Sequence, residues 1–258
     1  MSGGAGLATP QETLDRAAVV ALDVVGTIVE PSEPIAATYV RIAADFGRPH
    51  DPTVTAERFA AAMKRIWSEG TPDTDERLER DRWFRTVAAT LPDAADRNQV
   101  IFDALWEHFA AAEAWTWHDD AQRFVARLTQ LGIPWGLASN FDSRLHRWAA
   151  TQPELNAARF VVTSAELGVL KRDPRFYQRL SERIDRELQE GRGGCAFRGA
   201  LAEGGCRLMI GDQPANDIDP SRSAGWQAIW LCRPGTQHAV LPSPVAPTIA
   251  RFDELRLA

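Results

Sequence analysis

Two apolar segments of this sequence end in carboxylates, an unusual finish for a strand buried in a core. Residues 17–22, Ala-Ala-Val-Val-Ala-Leu, are followed by Asp23, and residues 207–210 are followed by Gly211, Asp212 and, five positions on, Asp217. Open α/β sheets bind their ligands at the carboxyl ends of the strands, so these positions suit a functional site. Taken alone, Asp23 is equally consistent with a turn or a helix N-cap.

Two further stretches add a hydroxyl and an ammonium group. Residues 134–138 form a short apolar run that ends at Ser139 and Asn140, and Lys171 precedes Arg-Asp-Pro. Lys64 and Lys171 are the two lysines among 29 basic residues, so arginine is the ordinary cation of this chain. A compact ammonium and a planar guanidinium are not interchangeable, which favours a specific task for Lys171 over a place on a solvated helix face.

These residue types together suit phosphoryl transfer, which needs an in-line nucleophile, a cation and donors that hold the phosphate. Asp23 is the predicted nucleophile, because a carboxylate forms an aspartyl-phosphate that water then hydrolyses. Asp23, Asp212 and Asp217 supply the oxygen ligands that Mg²⁺ prefers, and carboxylates this crowded need a cation among them. Ser139, Asn140 and Lys171 are predicted to bind the phosphate, and Lys171 also offsets the charge of the nucleophile.

In this order, the four stretches resemble the signature motifs of the haloacid dehalogenase-like superfamily. The closest likeness is to its branch called haloacid dehalogenase-like hydrolase domain-containing 3, through Ser-Asn-Phe-Asp at residues 139–142 and Ser-Ala-Glu at residues 164–166 leading to Lys171. The resemblance spans residues 19–231. It implies a Mg²⁺-dependent hydrolase in which the backbone carbonyl of Val25 is a further metal ligand.

Val25 departs from the pattern of the family's phosphatases. The resemblance implies a second Asp at this position, which protonates the leaving oxygen and then activates water, and valine does neither. General acid–base catalysis is typically worth about 10²–10⁴-fold, so we expect slow hydrolysis of alkyl phosphates and less effect on acyl or aryl phosphates.

Because valine replaces the second Asp at position 25, functions other than phosphate hydrolysis stay open. One alternative is a catalytically weak or silent protein that keeps the fold for binding. A dehalogenase-like hydrolase is another, although Asp212 and Asp217 favour phosphoryl chemistry. A phosphonatase-like enzyme would need a Schiff-base lysine, for which Lys64 is the candidate.

Between residues 31 and 117 the hydrophobic pattern has helical spacing. It predicts four amphipathic helices, marked by Ile35, Tyr39, Ile42 and Phe46; by Phe59, Met63, Ile66 and Trp67; by Leu78, Trp83, Phe84 and Val87; and by Val100, Ile101, Leu105, Trp106 and Phe109. Five tryptophans are predicted to pack these helices and their hinge in preference to forming a ligand box: Trp67, Trp83, Trp106, Trp115 and Trp117.

The rest of the chain alternates strand and helix, which predicts an α/β fold with a Rossmann-like parallel sheet. We therefore expect an α/β core domain from residues 1–30 and 118–258, with a helical cap domain inserted at residues 31–117. The last strand is predicted at residues 227–231. A glycine-rich insertion at residues 190–206 and a proline-bearing stretch at residues 234–247 are predicted to be surface loops.

Composition limits the partners and the compartment. A formal net charge of −6 without a basic run gives no electrostatic footprint for nucleic acid, and no apolar stretch reaches the roughly 18 residues of a membrane span. Three cysteines, an odd number without metal-like spacing, favour free thiols and a cytoplasmic location, with a disulfide between Cys195 and Cys206 as the alternative. The expected partner is a small phosphorylated substrate; the oligomeric state stays open.

Overall fold

The computed structural model describes residues 8–190, 203–235 and 246–256. In chain order its main elements are α1 (Pro10–Asp15), β1 (Ala17–Leu22), β2 (Val29–Pro31), α2 (Ile35–Asp45), α3 (Pro52–Ser68), α4 (Glu76–Thr90), α5 (Asn98–His108), β3 (Trp115–Trp117), α6 (Asp119–Gln130), β4 (Trp135–Ser139), α7 (Arg144–Ala149), β5 (Val161–Thr163), α8 (Ser164–Leu167), α9 (Arg175–Glu190), β6 (Cys206–Gly211), α10 (Asp219–Ser223), β7 (Gln227–Leu231) and β8 (Thr248–Ile249). Within these residues no helix is both long and apolar enough to cross a membrane.

Six strands form a parallel sheet in the order β5-β4-β1-β6-β7-β8, which confirms the predicted α/β fold. The prediction that residues 227–231 are the last strand is wrong, because β8 pairs with β7 at the sheet edge, Leu231 opposite Ile249. The glycine-rich stretch 191–202 with Cys195, and residues 236–245, lie outside the described residues, so those parts of the loop predictions and the disulfide stay untested. The predicted loop bounds are wrong at Cys206, which is the first residue of β6, and at Ala246, which is fully buried.

Strand β1 lies at the centre of the sheet and is covered on both faces. Val20 and Leu22 pack in one hydrophobic cluster with Phe124 of α6, while Val19 and Ala21 belong to a second cluster that includes α9. Alternate residues of a strand point to opposite faces, so a strand with helices on both sides is apolar at every position. This requirement explains the uninterrupted apolar run before Asp23.

Helices α2–α5 lie between β2 and β3 and are called the helical insertion here (residues 35–108). The four predicted helices are present. They share a hydrophobic cluster of their own, which includes Tyr39, Ile42, Val87, Ile101, Phe102 and Leu105. Asp51 and Asp75 cap α3 and α4 by accepting hydrogen bonds from the first-turn N–H groups of Val54 and Leu78. The proposed domain limits, residues 31 and 117, stay a prediction.

A short antiparallel pair connects the helical insertion to the sheet. In this pair β2 lies against β3, with Glu30 opposite Thr116 and Pro31 opposite Trp115. The chain therefore leaves the sheet region and returns to it at neighbouring positions.

Candidate active site

The carboxyl ends of three adjacent strands meet at one edge of the sheet. Ser139 is the last residue of β4, Asp23 directly follows β1, and Asp212 directly follows β6. Because β4, β1 and β6 are neighbours and parallel, their ends bring these three side chains together. Ser139 Oγ donates a hydrogen bond to Asp23 Oδ1 at 3.2 Å.

Lys171 joins this group from the loop between α8 and α9. Its side chain is 1% exposed, and Nζ donates to Asp23 Oδ1 at 2.8 Å and to the Ala138 carbonyl at 3.0 Å, and also contacts Asp217 Oδ1. The backbone N–H of Lys171 donates to Asn140 Oδ1 at 2.8 Å. A surface role for Lys171 is therefore wrong, since its ammonium group is buried between two carboxylates.

Asp23, Asp212 and Asp217 form a carboxylate cluster in which one oxygen from each lies within 4.8 Å of the others. Asp217 Oδ2 accepts a hydrogen bond from the Gln213 N–H at 2.9 Å. Asp212 Oδ1 is buried without a hydrogen-bond partner in the described residues. A buried carboxylate oxygen that lacks a donor is costly, and a bound cation removes that cost.

Two glycines permit this close packing. Gly26 has φ +87°, and a Cβ there would lie 2.6 Å from Asp212 Oδ2. A Cβ at Gly211 would lie 2.6 Å from Asp217 Cβ. Both positions must lack a side chain for the carboxylates of Asp212 and Asp217 to approach the sheet edge, and Gly26 also takes a backbone conformation that other residues rarely adopt.

The electrostatics of the carboxylate cluster show the same need for a cation. Burial, together with the nearby Asp23 and Asp217, raises the pKa of Asp212 to about 8. Burial also raises the pKa of Asp217 to about 6, although Lys171 opposes this. Burial alone would lower the pKa of Lys171, but the charges of Asp217 and Asp23 raise it. One ammonium therefore does not compensate three carboxylates, and the donor set fits a hard divalent cation such as Mg²⁺.

A cavity of about 330 Å³ lies between this cluster and the helical insertion. Its floor includes Asp23, Ser139, Asn140, Lys171 and Asp217, and its walls are mainly aromatic. The helical insertion contributes Tyr39, Phe59, Met63, Trp67 and Trp83 to the lining. Phe109, Trp115 and Phe141 complete the aromatic wall.

The predicted packing of the tryptophans is therefore only part of their role. Trp83 packs against the cluster of the helical insertion, and Trp115 and Trp117 pack against the core cluster. Trp67, Trp83 and Trp115 also line the cavity, whereas Trp106 and Trp117 are not among its lining residues. Helical spacing alone identified the packing face but not the cavity beside it.

Val25 and Lys64 have different positions relative to the cavity. Val25 is half-buried and its residue borders the cavity two positions after Asp23. Lys64 is exposed on α3 and is not among the lining residues, whereas the preceding Met63 is. The structure therefore gives no support to a Schiff-base role for Lys64, because its ammonium group lies in solvent.

Two arginines that the sequence analysis did not single out also border the cavity. Arg144 makes a paired hydrogen bond from Nε and Nη2 to the carboxylate of Asp142, at 2.8 and 2.7 Å, and its guanidinium lies 3.7 Å from the Trp106 ring centre. Arg172 donates from Nη1 to the Trp67 carbonyl at 2.6 Å and from Nη2 to the carbonyls of Gly70 and Thr71, both at 3.2 Å. Arg172, next to Lys171, thus links the helical insertion to the site.

Glu79 of α4 makes a second link between the helical insertion and the sheet region. It is fully buried and accepts hydrogen bonds from Thr74 Oγ1 at 2.8 Å and from Ser164 Oγ at 3.3 Å. Arg82 Nη1 lies 3.5 Å from the same oxygen, Oε1. Burial raises the pKa of Glu79 to about 7.

The fold and the carboxylate cluster define a class of hydrolases. The family of haloacid dehalogenase-like hydrolases matches residues 17–225, and the chain belongs to that family. The haloacid dehalogenase-like hydrolase domain-containing protein 3 of Danio rerio is 25% identical over 240 residues, covering 90% of this chain and 92% of that protein.

An enzyme and a solved structure give two further comparisons. The phosphoserine phosphatase of Thermus thermophilus is 25% identical over 180 residues, covering 67% of this chain and 65% of that protein. The crystal structure of the hydrolase YfnB from Bacillus subtilis, bound to magnesium, superposes with a TM-score of 0.66 at 16% identity, covering 93% of this chain and 96% of that one. These relatives place the chain among haloacid dehalogenase-like hydrolases that include phosphatases.

Proposed function

We propose that this protein is a Mg²⁺-dependent phosphohydrolase that transfers the phosphoryl group of a small substrate to Asp23 and then to water. The observation that carries the proposal is the position of Asp23: its Oδ1 accepts hydrogen bonds from Ser139 and Lys171, and its carboxylate belongs to a cluster of three. The two donors fix the orientation of the carboxylate. Relatedness to the phosphoserine phosphatase supports the reaction class.

In this reaction Asp23 attacks phosphorus, an Asp23–phosphorus bond forms, and the bond to the leaving oxygen breaks with its electron pair on that oxygen. Lys171, Ser139 and the backbone of Asn140 are the groups proposed to hold the phosphoryl oxygens. Water then cleaves the aspartyl-phosphate and releases inorganic phosphate. Asp23, Asp212, Asp217 and the Val25 carbonyl would hold Mg²⁺, which when bound offsets negative charge on the phosphoryl oxygens.

The helical insertion is proposed to act as a cap over this site. It supplies most of the aromatic wall of the cavity, and Arg172 and Glu79 connect it to the sheet region. A cap that closes over the reacting group excludes water from the transfer step and selects the substrate.

The test is phosphate release from acetyl phosphate and phenyl phosphate, with Mg²⁺ and with EDTA. We expect release with Mg²⁺, none with EDTA, and none from Asp23→Asn. Asp45→Asn, which removes an exposed carboxylate at the end of α2, is the matched control and is expected to keep wild-type activity. Calorimetric titration with Mg²⁺ adds a readout apart from turnover, with weaker binding expected for Asp212→Asn.

The phosphate-release assay also distinguishes the proposed hydrolase from a catalytically silent binding protein. Val25, which has no proton to give, favours a silent binding protein that keeps the fold. Mg²⁺ binding without release from either substrate would support that alternative and refute the proposed hydrolysis. Release that persists in Asp23→Asn would refute the assigned nucleophile.

A further inference from the structure

The cationic side chains that line the cavity, among the described residues, already have hydrogen-bond partners within the protein. Among the described residues that line it, Arg144 and Arg172 are the charged side chains apart from the carboxylate cluster and Lys171. The charge of Arg144 is balanced by Asp142, which is fully buried. The Nη groups of Arg172 donate hydrogen bonds to three backbone carbonyls. A carboxylate or second phosphate on the substrate would therefore have to compete with Asp142 for Arg144, or with three carbonyls for Arg172, which makes its burial costly.

The same walls match a flat apolar group. Phe59, Trp67, Trp83 and Trp115 present rings to a cavity of about 330 Å³, and Met63 adds a flexible apolar side chain. Cavities of this size take small organic ligands, and aromatic walls favour ring-shaped ones. The cavity opens onto Asp23, so a ring esterified to the phosphoryl group would extend from the nucleophile into the aromatic wall.

Val25 gives an independent argument about the leaving oxygen. Near Asp23 the cavity has an apolar side chain in place of a proton donor. An alkoxide that leaves without a proton is about as basic as hydroxide, whose conjugate acid has a pKa of about 15.7. A phenolate, whose conjugate acid has a pKa of about 10, leaves far more readily. An aromatic ring on the leaving oxygen therefore fits the shape of the wall, and it also allows the oxygen to leave without a proton donor at position 25.

We infer that the substrate is an aryl phosphate: a phosphate monoester whose leaving group is an uncharged aromatic alcohol bound against the helical insertion. The inference rests on the proposed function and adds the substrate class. When Asp23 attacks phosphorus, the phosphorus–oxygen ester bond breaks, its electron pair stays on the phenolate oxygen, and water protonates the phenolate after release. No oxidant or further co-reactant is required.

The test uses three aryl phosphates: phenyl, 2-naphthyl and 4-carboxyphenyl phosphate. A second ring removes roughly 60 Å² of apolar surface from water, which at about 25 cal/mol per Å² predicts about tenfold higher kcat/KM for the naphthyl ester than for the phenyl ester. The kcat/KM of the 4-carboxyphenyl ester is expected to be at least about tenfold lower than that of the phenyl ester, because its carboxylate would have to displace the partners of Arg144 or Arg172. Equal values for the naphthyl and phenyl esters, or a preference for the carboxylate, would overturn the inference.

Two variants test the location of the ring. Met63→Gln places an amide in the apolar wall and is expected to remove the naphthyl preference, so that kcat/KM becomes equal for 2-naphthyl and phenyl phosphate. Lys64→Gln, at the next and exposed position of α3, is the control and is expected to keep the preference. A naphthyl preference that survives Met63→Gln in a folded protein would place the ring elsewhere and contradict the inference.

Acetyl phosphate separates the two proposals, because it has a good leaving group and no ring. Its Mg²⁺-dependent hydrolysis without a naphthyl preference would refute the aryl substrate and leave the phosphohydrolase intact. If no substrate is hydrolysed, calorimetric binding to the Asp23→Asn variant still decides the inference. Tighter binding of 2-naphthyl than phenyl phosphate, by about tenfold, would support the aromatic site, and equal binding would refute it.

Discussion

Glu79→Gln is expected to change the pH dependence of stability, because Glu79 is buried between the helical insertion and α8. Its pKa rises from an ordinary value of 4.5 to about 7 when the chain folds, and burial is the main cause. The folded state therefore holds the proton more tightly than the unfolded state. The contribution of Glu79 to stability is fully present below about pH 4.5 and is lost as the pH rises through about 7.

The size of the effect follows from the two pKa values. Their difference corresponds to about 3 kcal/mol, of which about 2.5 kcal/mol falls between pH 5 and pH 8.5. Gln has the shape of the protonated acid and does not titrate. The free energy of unfolding of Glu79→Gln should therefore decline less than that of the wild type over this range, by about 2–3 kcal/mol.

Urea unfolding followed by far-UV circular dichroism at pH 5, 6, 7 and 8.5 measures this difference. Glu57→Gln, which removes an exposed carboxylate from α3, is the matched control and is expected to follow the wild-type profile. Parallel profiles for Glu79→Gln and the wild type would refute the reasoning. They would show that the ionised carboxylate is accommodated at no cost by Thr74, Ser164 and Arg82.

Three further substitutions test the site. Val25→Asp restores a proton donor and should raise kcat/KM for glycerol phosphate by about 10²-fold or more, with a smaller rise for acetyl phosphate. Gly211→Ala forces the carboxylate of Asp217 to move and should weaken Mg²⁺ binding by about tenfold or more in calorimetric titration. Arg172→Ala removes hydrogen bonds to three carbonyls and should speed amide hydrogen exchange in residues 67–74 by about tenfold, as measured by mass spectrometry.

Each of these has its own control. Val25→Asn has the shape of Val25→Asp without the proton, so equal gains in both variants would mean that the proton comes from elsewhere. Unchanged Mg²⁺ affinity in a folded Gly211→Ala protein would remove Asp217 from the proposed ligands. For Arg172→Ala, the exposed Arg65→Ala on α3 is the control, and equal exchange in both variants would show that Arg172 does not hold the helical insertion.

Local sequence signals predicted the centre of this fold well. The apolar run of β1 and the polar residues that follow β1, β4 and β6 are read directly from neighbouring positions, and the parallel sheet brings their ends together. Helix α1 also has a local start signal, because Thr9 and Glu12 form a capping box with Pro10 at the first helical position. Strand β8 is only two residues long and gave no pattern to detect.

The cavity wall was harder to predict because it depends on contacts between distant residues. Arg172 contacts the carbonyl of Trp67, 105 positions earlier, and Glu79 contacts Ser164, 85 positions later. Nothing in the residues around either side chain indicates the partner. Likewise, a stripe of aromatic residues at helical spacing has the same pattern whether it faces a core or an enclosed space.

The antiparallel pairing of β2 with β3 brings together the two ends of the segment formed by residues 32–114. Paired residues of β2 and β3 lie only about 5 Å apart. The two ends of the segment are therefore close together at the sheet, whatever the length of the segment. Replacing residues 32–114 would remove Tyr39, Phe59, Met63, Trp67 and Trp83 from the lining of the cavity, whereas Asp23, Asp212 and Asp217 lie outside the replaced segment.

A second junction lies beside Lys171, where the Leu170 N–H donates to the Pro72 carbonyl at 2.7 Å and the Thr74 N–H donates to the Gly168 carbonyl at 3.2 Å. A replacement segment would therefore have to reproduce two junctions, and the second one holds the loop that carries the buried ammonium group.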